Sequence, residues 1–411
     1  MVDSEFDRSA TRPDFHMPPP MPFPEQGSSD DDVLAGVKEL LDQNPYEIEN
    51  DFGISYVGPP HSISRQVSEL AIGTFFVEWA REIQPGPYDL EKQAVRMMAS
   101  LLGKPDAVGF ITNGGTESDI SALRLARNLS PSVSAPEVVM PETGHYAFHV
   151  AAELLGLKLR EAPLGDDMRP DMDQVESLIN RNTVALLCSM PGGSFMLLDP
   201  AEEFAELARR HNKFLHVDAA FGGFILPFMR ELGYDVPRFD FSLEGVSTIM
   251  TDGHKLGLMP VATSFFMVRD EEMLQAIPTE RTVIHNLTAT KHGERAASAW
   301  AVMRRMGRQG YLESTRRVLE LVDFIAQGIE QIEGLRLVVK PDVTLISFTS
   351  DAYDMSRIHQ EMLERRWGHV FGSYNGMGYI RLSIHPHRDM DHARGFLSGL
   401  RESVDAVRTA R

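Results

Sequence analysis

The most constraining feature of this chain is a series of short apolar segments that alternate with amphipathic segments of helical length. In the amphipathic segments, apolar residues recur every three or four positions, which is typical of a helix with one buried face. This alternation predicts an α/β fold in which helices cover both faces of a mostly parallel, seven-stranded sheet. The predicted strands are 107–112, 137–140, 158–162, 183–189, 213–218, 246–251 and 262–268, and the helices between them include 117–128, 146–155, 171–180 and 200–211.

The pattern changes near residue 293. A long helical stretch follows, and after it the strands are shorter and more widely spaced. A chain of 411 residues is long enough for two domains. We therefore predict a large domain at 33–292 and a smaller C-terminal α/β domain at 293–411. The predicted elements of this second part are helices 293–333, 354–366 and 389–407 and strands 335–339, 343–349 and 379–384.

The first 32 residues are expected to form a flexible, proline-rich arm, because six prolines lie within residues 13–32. The arm is either disordered or wraps a partner subunit. Regular structure is expected to begin near Val33, with the three aspartates at 30–32 capping a helix that ends at Leu41.

Composition excludes several classes of partner. A net charge of −19 argues against nucleic acid, and no apolar run is long enough to cross a membrane. The single cysteine, Cys188, excludes a disulfide framework and a multi-cysteine metal site, which is typical of a cytoplasmic protein.

Lys255 is the strongest candidate for a reactive side chain. It lies in the segment 251–257, between two predicted buried strands. Burial of an ammonium group is costly unless the group is paired or neutralised. Lys255 therefore either reaches out to solvent or forms a Schiff base with an aldehyde cofactor, for which pyridoxal phosphate is the common choice.

Three further segments follow predicted strands, at the edge where open α/β sheets bind their ligands. Gly114 and Gly115 precede a helix, and with the hydroxyl of Thr116 they predict a phosphate site. Asp218 closes an apolar strand. It would hold a pyridinium nitrogen, cap a helix or bind a metal. We expect no metal, because His216, a possible second ligand, is expected on the opposite face of the strand. His145 begins a helix and is either structural or stacked on a flat ring.

The ordered segments 114–117, His145, 216–220 and 252–255 resemble the pyridoxal-phosphate-dependent group II amino-acid decarboxylases. The similarity is greatest to the short archaeal-type tyrosine/aspartate decarboxylases, extends to sphingosine-1-phosphate lyase, and covers roughly residues 50–405. It implies the fold type I, PLP-dependent transferase-like architecture. It also implies decarboxylation of an L-amino acid to an amine and CO₂, and a homodimer whose active sites are shared between subunits.

The resemblance also implies residue roles. Lys255 would form the Schiff base, with His254 beside it near the phosphate. Asp218 would pair with the pyridine nitrogen, and Ala220 would pack against the ring. Gly115 and Thr116 would hold the phosphate, and His145 would stack on the ring.

The sequence departs from the family at three places. Ser194 is the only hydroxyl left in a segment that usually reads Gly-Thr-Thr, and Lys291 replaces the arginine of a Gly-Thr-Arg segment. Residues 270–292 contain no tyrosine, although many relatives use a loop tyrosine to protonate the substrate carbon. His285 is the candidate replacement acid, or else an ordinary loop residue. The loop around 285–291 is expected to reach the neighbouring subunit's site.

The missing tyrosine leaves other reactions open. The alternatives are a carbon–carbon lyase, decarboxylation coupled to oxidative deamination that yields an aldehyde, and a non-catalytic homologue acting as a binding subunit. Arg381, at the end of a predicted C-terminal strand, would bind a substrate carboxylate or phosphate, or form a salt bridge between domains. The sequence does not identify the amino acid.

Overall fold

The computed structural model describes residues 20–43, 50–52, 57–78, 82–83, 85–193, 195–278 and 284–409. Its strands are β1 (Phe75–Val77), β2 (Val108–Thr112), β3 (Glu137–Pro141), β4 (Lys158–Ala162), β5 (Thr183–Ser189), β6 (Phe214–Asp218), β7 (Thr248–Asp252), β8 (Ser264–Val268), β9 (Thr290–His292), β10 (Leu335–Leu337), β11 (Leu345–Ser350), β12 (Val370–Tyr374) and β13 (Met377–Ser383). Its helices are α1 (Asp30–Leu41), α2 (Ile63–Ala71), α3 (Pro85–Leu101), α4 (Gly115–Asn128), α5 (Ala147–Leu155), α6 (Met172–Leu178), α7 (Ala201–His211), α8 (Leu226–Glu231), α9 (Glu271–Leu274), α10 (Gly293–Glu330), α11 (Met355–Glu364) and α12 (Met390–Thr409).

A seven-stranded sheet forms the centre of the larger part of the molecule. Its strand order is β2-β8-β7-β6-β5-β3-β4. The four pairings from β4 to β7 are parallel, whereas β8 runs antiparallel to both of its neighbours. The predicted mostly parallel sheet is therefore confirmed, and each predicted strand lies within two residues of its expected start.

Helices pack on both faces of this sheet, as the alternating pattern predicts. Alternate side chains of each strand point to opposite faces. On one face Leu187, Val138 and Phe266 pack with apolar residues of α4 and α5. On the other, Leu186 and Val217 belong to the core formed with α3, α7 and α8. The face under α4 and α5 also carries the polar side chains of the candidate site.

A second core surrounds a four-stranded antiparallel sheet of order β10-β11-β13-β12. Apolar residues of α10, α11 and α12 fill it. Phe52 also belongs to this core, and its backbone hydrogen-bonds Gly368 and Ser383. Residues 50–52 thus pack with the C-terminal sheet, whereas the sequence assigned them to the large domain.

Some elements differ from their predicted bounds. Helix α1 begins at Asp30, because the hydroxyl of Ser29 accepts the N–H of Asp32 and caps it. The three aspartates form the first turn, where they favour the positive end of the helix dipole. Residues 1–19 of the expected arm lie outside the described residues. The long helix α10 is interrupted at Gly307, whose φ of 57° leaves the helical region.

Three short strands and some short helices were not predicted. Strands β1 and β9 have three residues each and pair with each other, so neither shows a clear period. Strand β12 alternates exposed with half-buried residues and lacks an apolar face. Within the described ranges, no helix is long and apolar enough to span a membrane.

Candidate functional site

The predicted site residues follow strand ends that meet at one edge of the large sheet. Strands β5, β6 and β7 are parallel and in register, so Ser189, Asp218 and Asp252 end at this edge. Lys255 comes three residues after β7, and the α4 N-terminus follows β2 at the same edge because Thr112 pairs with Ser264 beside Asp252.

The side chain of Lys255 is largely buried and has a carboxylate partner. Its Nζ lies 2.9 Å from Oδ2 of Asp252, and the two side chains are 17% and 4% exposed. The same Nζ lies 4.4 Å from the centre of the Phe221 ring. Lys255 is therefore not a lysine that extends to solvent.

Asp252 is ionised despite its burial. Burial acts to raise the pKa of this carboxyl, but the charges of Lys255 and His254 and the hydrogen bond from Ser264 outweigh it and lower the pKa. The 2.9 Å contact with Asp252 holds the Lys255 side chain at this edge of the sheet. Asp252 is thus a residue of the site to which the sequence analysis gave no role.

Asp218 is a buried carboxylate at the end of β6. Its Oδ1 accepts the N–H of Ala220 at 3.0 Å. Burial raises the pKa of Asp218, while the positive charges of His145 and Lys255 oppose that shift. A cationic ring nitrogen placed against Asp218 would add a further stabilising charge.

His216 lies on the same face of β6 as Asp218, so the predicted opposite orientation is wrong. Residues two apart in a strand share a face. The His216 ring contacts Thr248 through Nδ1 at 2.9 Å and Asp119 through Nε2 at 3.3 Å. Burial lowers the pKa of His216 to about 3, so its ring is neutral. Burial also raises the pKa of Asp119, as does repulsion from Asp218 and Asp252. His216 is therefore engaged in a buried polar network beside the site.

The start of α4 has the features of an anion site. The helix has 14 residues, and Gly114 precedes it with a φ of 113° and no side-chain cap. A Cβ on Gly115 would lie 2.6 Å from Cε of Met250 and about 3.2 Å from the Asp252 carboxylate, so a larger residue would displace Met250 and press against that carboxylate. Thr116 is half-buried in the first turn. Free N–H groups and the helix dipole at such a terminus favour a phosphate.

His145 follows β3 and His254 follows β7, and β5 and β6 lie between these two strands in the sheet. His145 is exposed after β3, its ring centre is 4.3 Å from that of Tyr146, and its charge acts on Asp218. His254 is buried, and its Nδ1–H donates to the carbonyl of Thr263 at 2.9 Å. Together with Lys255, Asp218 and the start of α4, these residues fit a flat, phosphorylated aldehyde with a basic ring nitrogen.

His285 contacts Glu78, Arg124 and Phe110. The carboxylate of Glu78 accepts the backbone N–H of His285 at 2.8 Å and contacts its ring Nδ1 at 3.3 Å. This histidine lines a cavity of about 390 Å³ beside the edge strand β2. Among the described residues, no contact joins it to Lys255 or Asp218.

The structure describes one of the two substituted residues of the family pattern, Lys291. Lys291 is buried, pairs with Glu91 and lies 5.0 Å from the Phe76 ring, so within the chain it is part of an internal ion pair. Ser194, the other candidate replacement, lies outside the described residues. Arg381 is a buried residue of β13, opposite Ser347 and Val370 in the sheet.

His385, which the sequence analysis did not single out, lies close to the site. It follows β13 and is almost completely buried, with Nε2 3.2 Å from the hydroxyl of Ser383. Burial and the charges of Arg388, His387 and Lys255 lower its pKa to about 3. The sequence signal that could have indicated His385 is its place in an Ile-His-Pro-His segment directly after an apolar strand. In the part of the chain that the structure describes, no cluster of three or more metal-ligating side chains occurs.

Comparison with known proteins gives this arrangement a family. The family model "Pyridoxal-dependent decarboxylase conserved domain" matches residues 60–351. A protein of Methanothermobacter thermautotrophicus named "Probable L-tyrosine/L-aspartate decarboxylase" is 36% identical over 320 residues, which cover 77% of this chain and 87% of that protein. The L-aspartate decarboxylase of Thermococcus kodakarensis is 33% identical over 390 residues, 92% of this chain and 98% of the relative.

A solved structure has the same fold. The sphingosine-1-phosphate lyase of Burkholderia pseudomallei superposes with a TM-score of 0.86 at 27% identity, covering 95% of this chain and 94% of that one. The chain belongs to the pyridoxal-dependent decarboxylase family. It is a pyridoxal-phosphate-dependent carboxy-lyase with the expected α/β fold, so the predicted family, cofactor and class of reaction are confirmed.

Proposed function

We propose that the enzyme decarboxylates an L-amino acid at the sheet edge that carries Lys255, with Lys255 as the covalent anchor of pyridoxal phosphate. The observation that carries this assignment is the buried Lys255–Asp252 pair, which lies at the same edge as Asp218 and the uncapped start of α4. When bound, the cofactor supplies an electron sink for the bond between the α-carbon and the carboxylate.

The other side chains have separate tasks in this proposal. Gly115, Thr116 and the α4 N-terminus hold the phosphate, with His254 nearby. Asp218, desolvated and hydrogen-bonded to Ala220, keeps a proton on the ring nitrogen. His145 covers one face of the ring, and Ala220 packs against it. Asp252 keeps Lys255 oriented at the edge through their 2.9 Å contact.

For the substrate we propose an acidic or aromatic L-amino acid, with L-aspartate first. The support is the naming of the two archaeal relatives as aspartate and tyrosine/aspartate decarboxylases. Arg381 and His385 are the candidate contacts for a substrate carboxylate, because both are buried and follow or belong to β13.

The test is a panel of L-aspartate, L-tyrosine and L-glutamate, with CO₂, amine, aldehyde and peroxide measured together. Equal amounts of CO₂ and amine support simple decarboxylation. Aldehyde and peroxide would show an oxidative route instead. No CO₂ from any member of a complete set of the proteinogenic L-amino acids would contradict the proposal.

A carbon–carbon lyase is the second candidate function. The observation that favours it is the likeness to the sphingosine-1-phosphate lyase of Burkholderia pseudomallei at 27% identity. Cleavage of a phosphorylated long-chain amino alcohol into an aldehyde and ethanolamine phosphate, without CO₂ release from amino acids, would establish it.

We further propose a cytoplasmic homodimer in which the segment around 285–291 reaches the partner's site. Helix α1 supports the dimer, because all its large apolar side chains are exposed: Val33, Leu34, Val37, Leu40 and Leu41. The single, buried cysteine Cys188 fits a reducing compartment. Light scattering on the purified protein tests the assembly, and a monomeric mass would contradict it.

The two-domain division at residue 293 is also part of the proposal. The support is that the four-stranded sheet has an apolar core distinct from the two cores on the faces of the large sheet. Limited proteolysis should cut between the two parts, and random fragmentation would argue against the division.

A further inference from the structure

Asp119 is a buried carboxyl group that has no task in the proposed function. It lies on α4 one helical turn after Gly115, and both residues face the large sheet. Its side chain is 1% exposed, and that of its partner His216 is 0% exposed. In the part of the chain that the structure describes, His216 is the only hydrogen-bond partner of this side chain. The helix face that borders the proposed phosphate site therefore also carries a carboxyl group with one ring nitrogen as its partner.

Two arrangements of hydrogen atoms satisfy the contacts of the His216 ring. Its Nε2 lies 3.3 Å from Oδ1 of Asp119, and its Nδ1 lies 2.9 Å from Oγ1 of Thr248. A neutral imidazole carries one hydrogen. Either Nε2 carries it and donates to an ionised Asp119, or Nδ1 carries it and donates to Thr248 while a protonated Asp119 donates to Nε2. The two arrangements differ by one buried negative charge.

The neighbours of Asp119 favour the arrangement without that charge. Asp218 on β6 and Asp252 on β7 act on it as buried carboxyl groups, and Lys255 acts on it as a cation. Lys255 is already in contact with Asp252. Burial and repulsion from Asp218 and Asp252 raise the pKa of Asp119, and the charge of Lys255 does not reverse that shift. An ionised Asp119 would add a negative charge beside these two carboxyl groups, which is costly in a buried site.

His216 connects Asp119 to the carboxyl group that the proposed function places at the ring nitrogen of the cofactor. His216 and Asp218 are two residues apart in β6 and share a face. The His216 ring packs edge-on against Phe148, with 6.1 Å between the ring centres, and its Nδ1 contacts Thr248. Without a donor at position 119, Nε2 would be buried with no hydrogen bond, which destabilises this position of the ring.

We propose that Asp119 is a positioning residue that keeps its own proton and donates it in a hydrogen bond to His216. The inference rests on the proposed place of Asp218 at the ring nitrogen. Asp119 then has two effects: it holds the His216 ring on the face of β6 that carries Asp218, and it adds no negative charge beside Asp218. The protonation of the ring nitrogen, and with it the strength of the electron sink, depends on Asp218 and not on a charge at Asp119.

Infrared difference spectra of the apo-protein and the holoenzyme test the protonation of Asp119. Asp119→Asn removes the acid and keeps a donor to Nε2. The wild-type spectrum minus that of Asp119→Asn should contain the carbonyl band of a protonated carboxylic acid in both forms. Asp106→Asn is the matched control and should instead remove carboxylate bands, because Asp106 is exposed and its hydrogen bond with Lys104 lowers its pKa. Carboxylate bands from Asp119 would overturn the proposal.

The positioning role is tested by a comparison of Asp119→Asn with Asp119→Leu, which has a similar size but no donor. We expect Asp119→Leu to weaken cofactor binding by about tenfold and to shift the pH at which the absorbance band of the bound cofactor titrates. Asparagine should restore both values. An equal loss in Asp119→Asn would show that the charge matters, and wild-type values in Asp119→Leu would show that the contact with His216 does not; either result overturns the proposal.

The pH dependence of stability gives a measurement that does not need the leucine variant to fold. The unfolded chain releases the Asp119 proton near pH 3.8, whereas the folded protein keeps it to higher pH because its pKa is raised. The wild type should therefore lose stability relative to Asp119→Asn as the pH rises. The ratio of the two unfolding constants should change by up to about tenfold per unit between about pH 4 and 6. A constant ratio would contradict a protonated Asp119.

Asp218→Asn separates a failure of this inference from a failure of the proposed site. If cofactor affinity and the absorbance band are unchanged in Asp218→Asn, the proposed place of Asp218 fails, and the inference fails with it. If Asp218→Asn changes both while Asp119 gives carboxylate bands, the proposed place of Asp218 stands and only the inference is overturned.

Discussion

Lys291 and Glu91 form a buried ion pair. The stability lost when one of them is replaced depends on which charged partners the other one keeps. The two side chains are 6% and 0% exposed, and Glu91 also lies 3.3 Å from Lys92. Removal of one member of a buried pair leaves the other charge without compensation. The two members of this pair are not equivalent, because Glu91 has a second cation in contact, whereas the second opposite charge that acts on Lys291, that of Glu78, is not in contact with it.

Glu91→Gln should therefore destabilise the protein much more than Lys291→Met. The first change leaves Lys291 buried beside another cation, Lys92, and should cost about 3–5 kcal/mol in the free energy of unfolding. In Lys291→Met the carboxylate keeps Lys92, so the loss should be smaller. Urea denaturation of the two variants measures both values, and equal losses would refute this asymmetry.

His369 is a second residue whose burial has a measurable consequence. It contacts His359 at 2.8 Å, and burial followed by the charge of His359 lowers its pKa from 6.5 to about 4. Between these two pH values the unfolded chain binds a proton that the folded protein excludes. Stability is therefore complete above pH 6.5 and is lost as the pH falls towards 4.

His369→Gln should flatten this dependence. Its slope of unfolding free energy against pH, between pH 4 and 6.5, should decrease by up to about 1.4 kcal/mol per pH unit. Denaturant titrations at several pH values give the slope independently of any constant loss of stability. A variant with the wild-type slope would show that His369 does not exclude a proton in the folded state.

The positions of site residues were predictable where the residues follow or close an apolar strand. Lys255 and Asp218 each follow an apolar strand, and the structure brings both to one edge of the sheet. Asp252 was not recognised as a site residue, because its part in the site depends on its contact with Lys255, and no sequence pattern predicts that contact. The predicted direction of His216 failed through the strand period itself, since positions 216 and 218 share a face.

At the scale of elements, the start of α4 determines where a phosphate can bind. Met250 can move away from an added Cβ at Gly115, but Asp252 is held by Lys255 and Ser264. A methyl group there would push into the anion site and against that carboxylate.

Gly115→Ala should weaken pyridoxal phosphate binding by about tenfold or more while the protein stays folded. Gly86→Ala, in the first turn of α3 with nothing within 4 Å of its added Cβ, is the matched control and should bind as the wild type does. Titration of the apo-protein with cofactor provides the dissociation constants. Wild-type affinity in Gly115→Ala would show that the phosphate does not bind at the start of α4.

Elements with a strong period were predicted best. Six of the seven strands of the large sheet are mostly buried, so their limits are clear in the sequence, whereas the edge strand β4 is largely exposed. Strands β1 and β9 exist only because they pair with each other across about 200 residues, and such a partner is invisible locally. The break in α10 at Gly307 was also missed, because glycine permits a positive φ without requiring it.

At the scale of the whole molecule, the contacts of His285 bear on the proposed dimer. Within the described part of one chain they join it to Glu78, Arg124 and Phe110 and not to Lys255. If the segment around His285 completes the partner's site, two defective subunits can together make one intact site. That site takes Lys255 from one subunit and His285 from the other.

Co-expressed Lys255→Ala and His285→Gln subunits should therefore recover activity as a mixed dimer. Each variant alone has two defective sites, whereas the mixed dimer has one complete site and should regain up to about half of the wild-type rate per dimer. Tandem affinity tags isolate the mixed species for the assay. Activity no greater than that of the His285→Gln dimer would show that both residues act in the same subunit or that His285 has no role.

The domain division at residue 293 stays a prediction. A second sheet lies C-terminal to that residue and has a core of its own. The return of residues 50–52 to that core was not predictable, because Phe52 is a single apolar residue in a segment without a period.

The central claim is that Lys255 is the covalent anchor of the cofactor. Reduction of the holoenzyme with borohydride, followed by peptide mass spectrometry, tests it most directly. We predict loss of the yellow colour and one phosphopyridoxyl group per chain, on Lys255. A label on any other lysine, or an unlabelled chain after incubation with pyridoxal phosphate, would contradict the assignment.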